Sequence, residues 1–207
     1  MASPIGHTLI AVLAARKPAA RATNRKWLFL ACVATIAPDL DLLPGLFVGE
    51  INRYHHGISH SLGAAVMFGA VSALAAGRLH MSRVRLGIVA ASLYASHLVL
   101  DLLTVDTRPP FGQPLFWPLT GQYFAMRSPF LMGIRHNAEG GLAAFVRDVF
   151  SLHNMNAAFR EVLLVAPVVL LLWWIGTRLA GNASGSSLSR ARSSTSAAVP
   201  SAPDSWD

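Results

Sequence analysis

Residues 61–79, 86–105 and 162–179 are each apolar over the roughly 17–25 residues that a helix needs to cross a bilayer. The last contains Val169-Leu170-Leu171-Leu172-Trp173-Trp174, the most lipid-like run in the chain. Such runs do not suit a soluble globule. Only 13% of the 207 residues are charged, against about 25% in soluble domains. Two further stretches are apolar but incomplete. Residues 27–48 are long enough, yet Pro38, Asp39, Asp41 and Pro44 interrupt them. Residues 5–15 are short and read as an interfacial, re-entrant or half-spanning helix. The expected fold is an all-α integral membrane bundle of about four spanning helices plus a short N-terminal helix, formed by residues 1–180. Residues 181–207 are rich in Ser, Ala, Gly and Pro without apolar periodicity, and are expected to be a disordered tail.

A net charge of +7 raises the question of nucleic acid. The basic residues form no stripe interleaved with aromatics, so no nucleic-acid partner is expected. They cluster instead between apolar runs, as in cytoplasmic loops. Arg16, Lys17, Arg21, Arg25 and Lys26 precede the interrupted stretch; Arg78, Arg83 and Arg85 lie between two full-length ones; Arg178, Arg190 and Arg192 follow the last. All three clusters can be cytoplasmic at once, which puts residues 49–60 and 106–160 outside. No Lys or Arg precedes residues 5–15, so a secretory signal is not expected. Cys32 is the only cysteine, which excludes an intrachain disulfide, and it reads as a small buried hydrophobe. Ala65, Gly69, Ala73 and Gly77 recur at every fourth position and predict a stripe where a second helix packs closely.

Ionisable groups inside membrane segments are costly, about 2.5–3.5 kcal/mol for a central Asp on the insertion scale, and they mark functional sites by default. The expected topology gathers them at one depth near the outer face: Asp39 and Asp41, then His55, His56 and His60, then His97 and Asp101, with His7 joining if the first helix starts on that side. His97 and Asp101, spaced i,i+4, share a helix face. They can grip one metal, the carboxylate can orient the imidazole, or the two can form a plain buried hydrogen bond. Pro38-Asp39-Leu40-Asp41 offers two carboxylates across a helix break, or a solvated turn. Three histidines within residues 55–60 are the most specific signal, since neutral imidazole is the commonest metal ligand. His80, His136 and His153 lack such company.

Together these stretches resemble the YdjM family of bacterial inner-membrane proteins, described as membrane-bound metal-dependent hydrolases. The likeness covers residues 6–130. Gly6-His7 resembles the family's opening Gly-His, and Pro38-Asp39-Leu40-Asp41 its Pro-Asp-x-Asp. His55-His56-Gly57-Ile58-Ser59-His60-Ser61 resembles its His-Arg-Gly-x-Thr-His-Ser, and residues 96–104 its Ser-His-x-x-x-Asp-x-x-Thr. Leu115-Phe116-Trp117-Pro118 resembles a later apolar pair leading into Trp-Pro or Pro-Phe. His56 stands where the family has Arg, which removes a fixed charge able to bind a phosphate-like anion, and Ser59 stands where it has Thr. A fainter likeness to zinc-dependent phospholipase C enzymes favours zinc and a phosphoester.

The resemblance implies a hydrolase at the bacterial inner membrane, multi-pass, acting on a lipid, lipid-linked or periplasmic ester or phosphoester. His7, Asp39, Asp41, His55, His60, His97 and Asp101 would ligate one or more divalent ions, zinc being favoured. Asp39, Asp41 and His56 are the candidate catalytic groups, with Asp39 or Asp41 as general base. Seven ligands exceed one tetrahedral zinc, so either the centre is polynuclear or some residues orient others. The competing reading is a non-catalytic protein with a structural metal, acting in interaction or envelope stress. A transporter is disfavoured because the polar groups form no path across.

Overall fold

A computed structural model describes residues 2–15, 24–50, 52–107, 109–135 and 141–196. Arg16, Lys17, Arg21, His136 and residues 197–207, on which some of the readings above fall, lie outside the described residues. The helices are α1 (Pro4–Ala15), α2 (Asn24–Ile36), α3 (Leu42–Phe47), α4 (Leu62–Ala73), α5 (Arg83–Leu102), α6 (Gly141–Val149) and α7 (Leu152–Ser196). Short 3-10 turns stand at Ala37–Asp41, Ile58–His60 and Ala76–Leu79. The expected all-α fold is observed, with no strand among the described residues.

Three helical stretches are long and apolar enough to span a membrane: Arg25–Gly45, Arg83–Leu102 and Leu152–Arg178. The expected fourth, at 61–79, is shorter than its apolar run. Helix α4 has 12 residues, about 18 Å at 1.5 Å per residue. It gives way at Leu74 to turns and the 3-10 segment around Gly77, a poor helix former. The interruption within 27–48 falls where Pro38 predicts it. Pro38 has no N–H for the Ala34 carbonyl, and α2 tightens into the Ala37–Asp41 turn before α3. Helix α7 starts at Leu152, earlier than the apolar run at 162–179, and continues through Ser196 into the segment assigned to the tail.

The chain divides into two units, Met1–Pro167 and Val168–Asp207. All the candidate site residues belong to the first. Its core is built largely of alanine. Ala11, Ala31 and Ala34 pack with Leu93, bringing α1, α2 and α5 together, and Cys32 packs partly buried against them. Ala65, Tyr94 and Leu98 join α4 to α5. Small side chains let backbones approach closely where lipid offers no hydrophobic drive to associate. A Cβ at Gly69 would press on the Gly87 carbonyl, so the expected stripe does pack a helix, whereas Gly77 has open space beside it. Val66, Val71 and Ile88 face outward, as lipid-facing side chains would.

Between α5 and α6 the chain folds back as a closed loop. Val105 N–H donates to Leu131 O at 3.0 Å, and Gln113 and Phe124 exchange bonds of 3.0 and 2.9 Å. The loop is fixed to the start of α4 by Leu62 N–H donating to Leu115 O at 2.8 Å. In the second unit, α7 presents Leu171, Leu172, Trp173 and Trp174 as exposed side chains, with Arg178 over the Trp174 ring at 5.3 Å.

Candidate metal centre

The helix break places Asp39 beside two histidines and a carboxylate from other elements. Asp39, His60, His97 and Asp101 each offer one atom, all within 4.8 Å of one another. His97 Nε2 lies 3.4 Å from Asp39 Oδ1 and 3.3 Å from Asp101 Oδ2. His60 Nε2 lies 3.7 and 3.5 Å from the same two oxygens. All four atoms are buried and none has a hydrogen-bond partner. These separations exceed ordinary hydrogen bonds, but they match a shared cation. Ligand atoms about 2.0–2.1 Å from a tetrahedral zinc are about 3.3 Å apart. Two imidazole nitrogens and two carboxylate oxygens also form a donor set suited to zinc, so the residues fit the ion that the resemblance implies.

The reverse sides of these ligands are occupied. The Thr35 carbonyl, beside the helix break, lies 2.8 Å from His97 Nδ1. A carbonyl only accepts, so Nδ1 carries the proton and neutral His97 keeps a lone pair on Nε2. Asp41 does the same for two histidines, with Oδ2 3.0 Å from His60 Nδ1 and Oδ1 2.9 Å from His55 Nδ1. Ser59 Oγ donates to Asp41 Oδ2 at 2.6 Å. Both Asp41 oxygens are thus turned away from the four-atom cluster. The Ala2 N–H donates to Asp101 Oδ1 at 2.6 Å, leaving Oδ2 for the cluster. Burial opposes charge on His60, but the carboxylates of Asp101, Asp39 and Asp41 outweigh it and hold the His60 pKa well above 6.5. Burial lowers the His55 pKa despite its hydrogen bond to Asp41.

Local signals set these positions. Ser61 Oγ accepts from Ala64 N–H and caps α4, which turns the chain just after His60. Tyr94 OH donates to Ser59 O at 2.7 Å and ties that turn to α5.

The other candidates surround the cluster. His55, His56 and His60 form a second group with ligand atoms within 4.8 Å. His56 sits at φ +60°, a backbone region costly for a non-glycine residue. Its Nε2 is 3.8 Å from Asp101 Oδ2 and its Nδ1 3.4 Å from Asp106 Oδ2. His7 stacks on His97 with ring centroids 3.7 Å apart and has Nε2 3.9 Å from Asp101 Oδ1. Both its ring nitrogens are buried without a partner. All seven expected ligands and His56 therefore lie in one neighbourhood. His153 lies apart, its Nε2 3.1 Å from Gly133 O, and His80 is exposed beyond α4.

Sequence reasoning missed several members. Glu161 of α7 is 2% exposed, and its Oε2 accepts the Ser3 N–H at 2.8 Å. A Cβ at Gly6 would overlap its carboxylate, which explains the glycine before His7. An acidic residue within a span is the available signal, and Glu161 stands one residue before the apolar run at 162–179. Asp106, beside His56, and Gln113 were missed as well. Both line a cavity of about 240 Å³ that also touches His56 and Asp101.

A family model described as YdjM inner membrane protein matches residues 1–182. No curated protein and no solved structure matches the chain.

Proposed function

The chain belongs to the YdjM inner membrane protein family, and from that premise we propose that it is a multi-pass, metal-dependent hydrolase of a lipid-linked or periplasmic ester or phosphoester. The observation that carries this reading is the convergence of four buried, unpartnered ligand atoms from Asp39, His60, His97 and Asp101. These four would hold the ion. The ion, zinc by its donor set, would polarise the bond to be cleaved and lower the pKa of a bound water to about 7.

The chain's own residues then divide the work. Thr35 O and Asp41 fix the His97 and His60 rings, so little reorganisation accompanies binding. Asp41 acts as a positioning residue, because both its oxygens are engaged by His55, His60 and Ser59. His56 is the better-placed proton carrier. Asp106 faces its Nδ1, its Nε2 is unpartnered, and it borders the cavity together with Asp101. Four protein ligands would fill a tetrahedral zinc, so a water or substrate oxygen would enter as a fifth ligand, an expansion that catalytic zinc allows; the cavity bordering Asp101 supplies the approach.

The test is elemental analysis of detergent-solubilised protein, wild type beside His60→Ala and Asp101→Ala. Stoichiometric zinc or another divalent metal in the wild type, lost in both variants that remain folded, supports the reading. No metal after purification without chelator, and none after dialysis against zinc, overturns it.

A further inference from the structure

The cavity beside the cluster has a mixed lining. It includes Asp101 of the cluster, with His56 and Asp106. Arg127 lines it too, the only Lys or Arg among the described lining residues, and none of the described residues forms an ion pair with it. Much of the remaining wall is apolar, including Val105, Phe111, Met126 and Pro129. Gln113 also lines the cavity. Its Nε2 donates to Leu98 O at 2.7 Å, which fixes the amide orientation and leaves the buried Oε1 without a partner. A cavity lined by a guanidinium, a free carbonyl acceptor and apolar walls suits an anion that carries a hydrogen-bond donor and some apolar body.

We propose that Arg127 recognises the phosphoester anion of the substrate, with Gln113 Oε1 accepting a hydroxyl or amine of the same molecule. A planar guanidinium offers paired N–H donors to two phosphate oxygens. Arg127 lines the same cavity as Asp101 and His56, so an anion held by Arg127 has access to the cluster. The inference deepens the proposed function and rests on it for the identity of the reacting centre.

The test is calorimetric titration of inorganic phosphate into full-length protein in detergent, with metal content measured on the same samples. Wild type is compared with Arg127→Gln, Arg127→Lys and Gln113→Leu. Arg127→Gln is expected to weaken phosphate by about tenfold or more with metal content unchanged, as loss of a hydrogen bond to a charged group should. Arg127→Lys should fall between, since it keeps the charge but not the fork. Equal phosphate affinity in wild type and Arg127→Gln, or no phosphate binding by wild type, overturns the inference while leaving the metal reading intact. If the wild type holds no metal, the proposed function falls. Arg127-dependent phosphate binding in that same protein would still support the anion site, and its absence would overturn it. A second titration uses a short-chain phosphatidic acid below its micelle threshold. Arg127-dependent binding tighter than that of inorganic phosphate identifies a lipid headgroup, and parity identifies a free phosphoester.

Discussion

Two halves of the polar site are built differently. In the inner half, His60, His97 and Asp101 each have one polar atom fastened to Asp41, the Thr35 carbonyl and the Ala2 N–H, and the other directed at the cluster. In the outer half, His7 has neither ring nitrogen engaged, and His56 sits on a strained backbone with Asp106 at 3.4 Å. An orienting partner fixes both tautomer and ring angle, and its loss typically weakens metal binding 10–100-fold. The inner half is therefore arranged to hold an ion without rearrangement. The outer half retains the freedom that a proton carrier or a second, weaker ion site requires.

The largest effect should come from the inner ligands. His97→Ala and Asp101→Ala should each abolish stoichiometric metal binding, read by elemental analysis beside a size-exclusion profile. Asp101→Ala should also loosen residues 2–3, detected by hydrogen exchange, because the Ala2 N–H loses its acceptor. Next comes Asp41→Asn, expected to keep the metal but weaken it by about 10–100-fold in competition with a chelator. An effect as large as that of His97→Ala would instead make Asp41 a ligand.

Acid should compete with the metal. The carboxylates of Asp101, Asp39 and Asp41 hold the His60 pKa well above 6.5, so the ring keeps its proton to higher pH than an ordinary histidine. Metal binding there must release about one proton. Affinity should then fall about tenfold per pH unit as pH drops below that raised pKa and level off above it. Calorimetry in two buffers of different ionisation enthalpy counts the proton. A release of zero would mean that His60 is not a ligand.

The smallest effect on the metal should come from His56→Arg, which replaces a titratable ring with a fixed charge. Metal content should stay the same, while the rate of any phosphoesterase activity should fall by about 100-fold or more, as loss of a positioned proton carrier should. Loss of the ion in this variant would move His56 into the inner half.

Much of the centre was legible because its residues lie on local patterns. Pro38 announces the break that carries Asp39 and Asp41, the i,i+4 spacing puts His97 and Asp101 on one face, and Ser61 is an evident cap after His60. What orients them was not legible. The Thr35 carbonyl belongs to the backbone and could be any residue's. Asp106 and Gln113 reach the site only because an irregular loop folds back on α4, and Glu161 does so from a distant helix. The helix within 61–79 is shorter than its apolar run because hydropathy counts apolar residues whether or not the helix continues, and α4 stops at Ala73.

The pairing of Ser3 and Gly6 with Glu161 joins positions 158 residues apart at Ser3. A ribosome adding about 5–20 residues per second needs on the order of 10 s to pass from one to the other. Throughout that interval the Ser3 N–H lacks the acceptor it has in the folded protein. This brace forms only after the last helix is made, and a chain halted before Glu161 would carry the inner ligands without it.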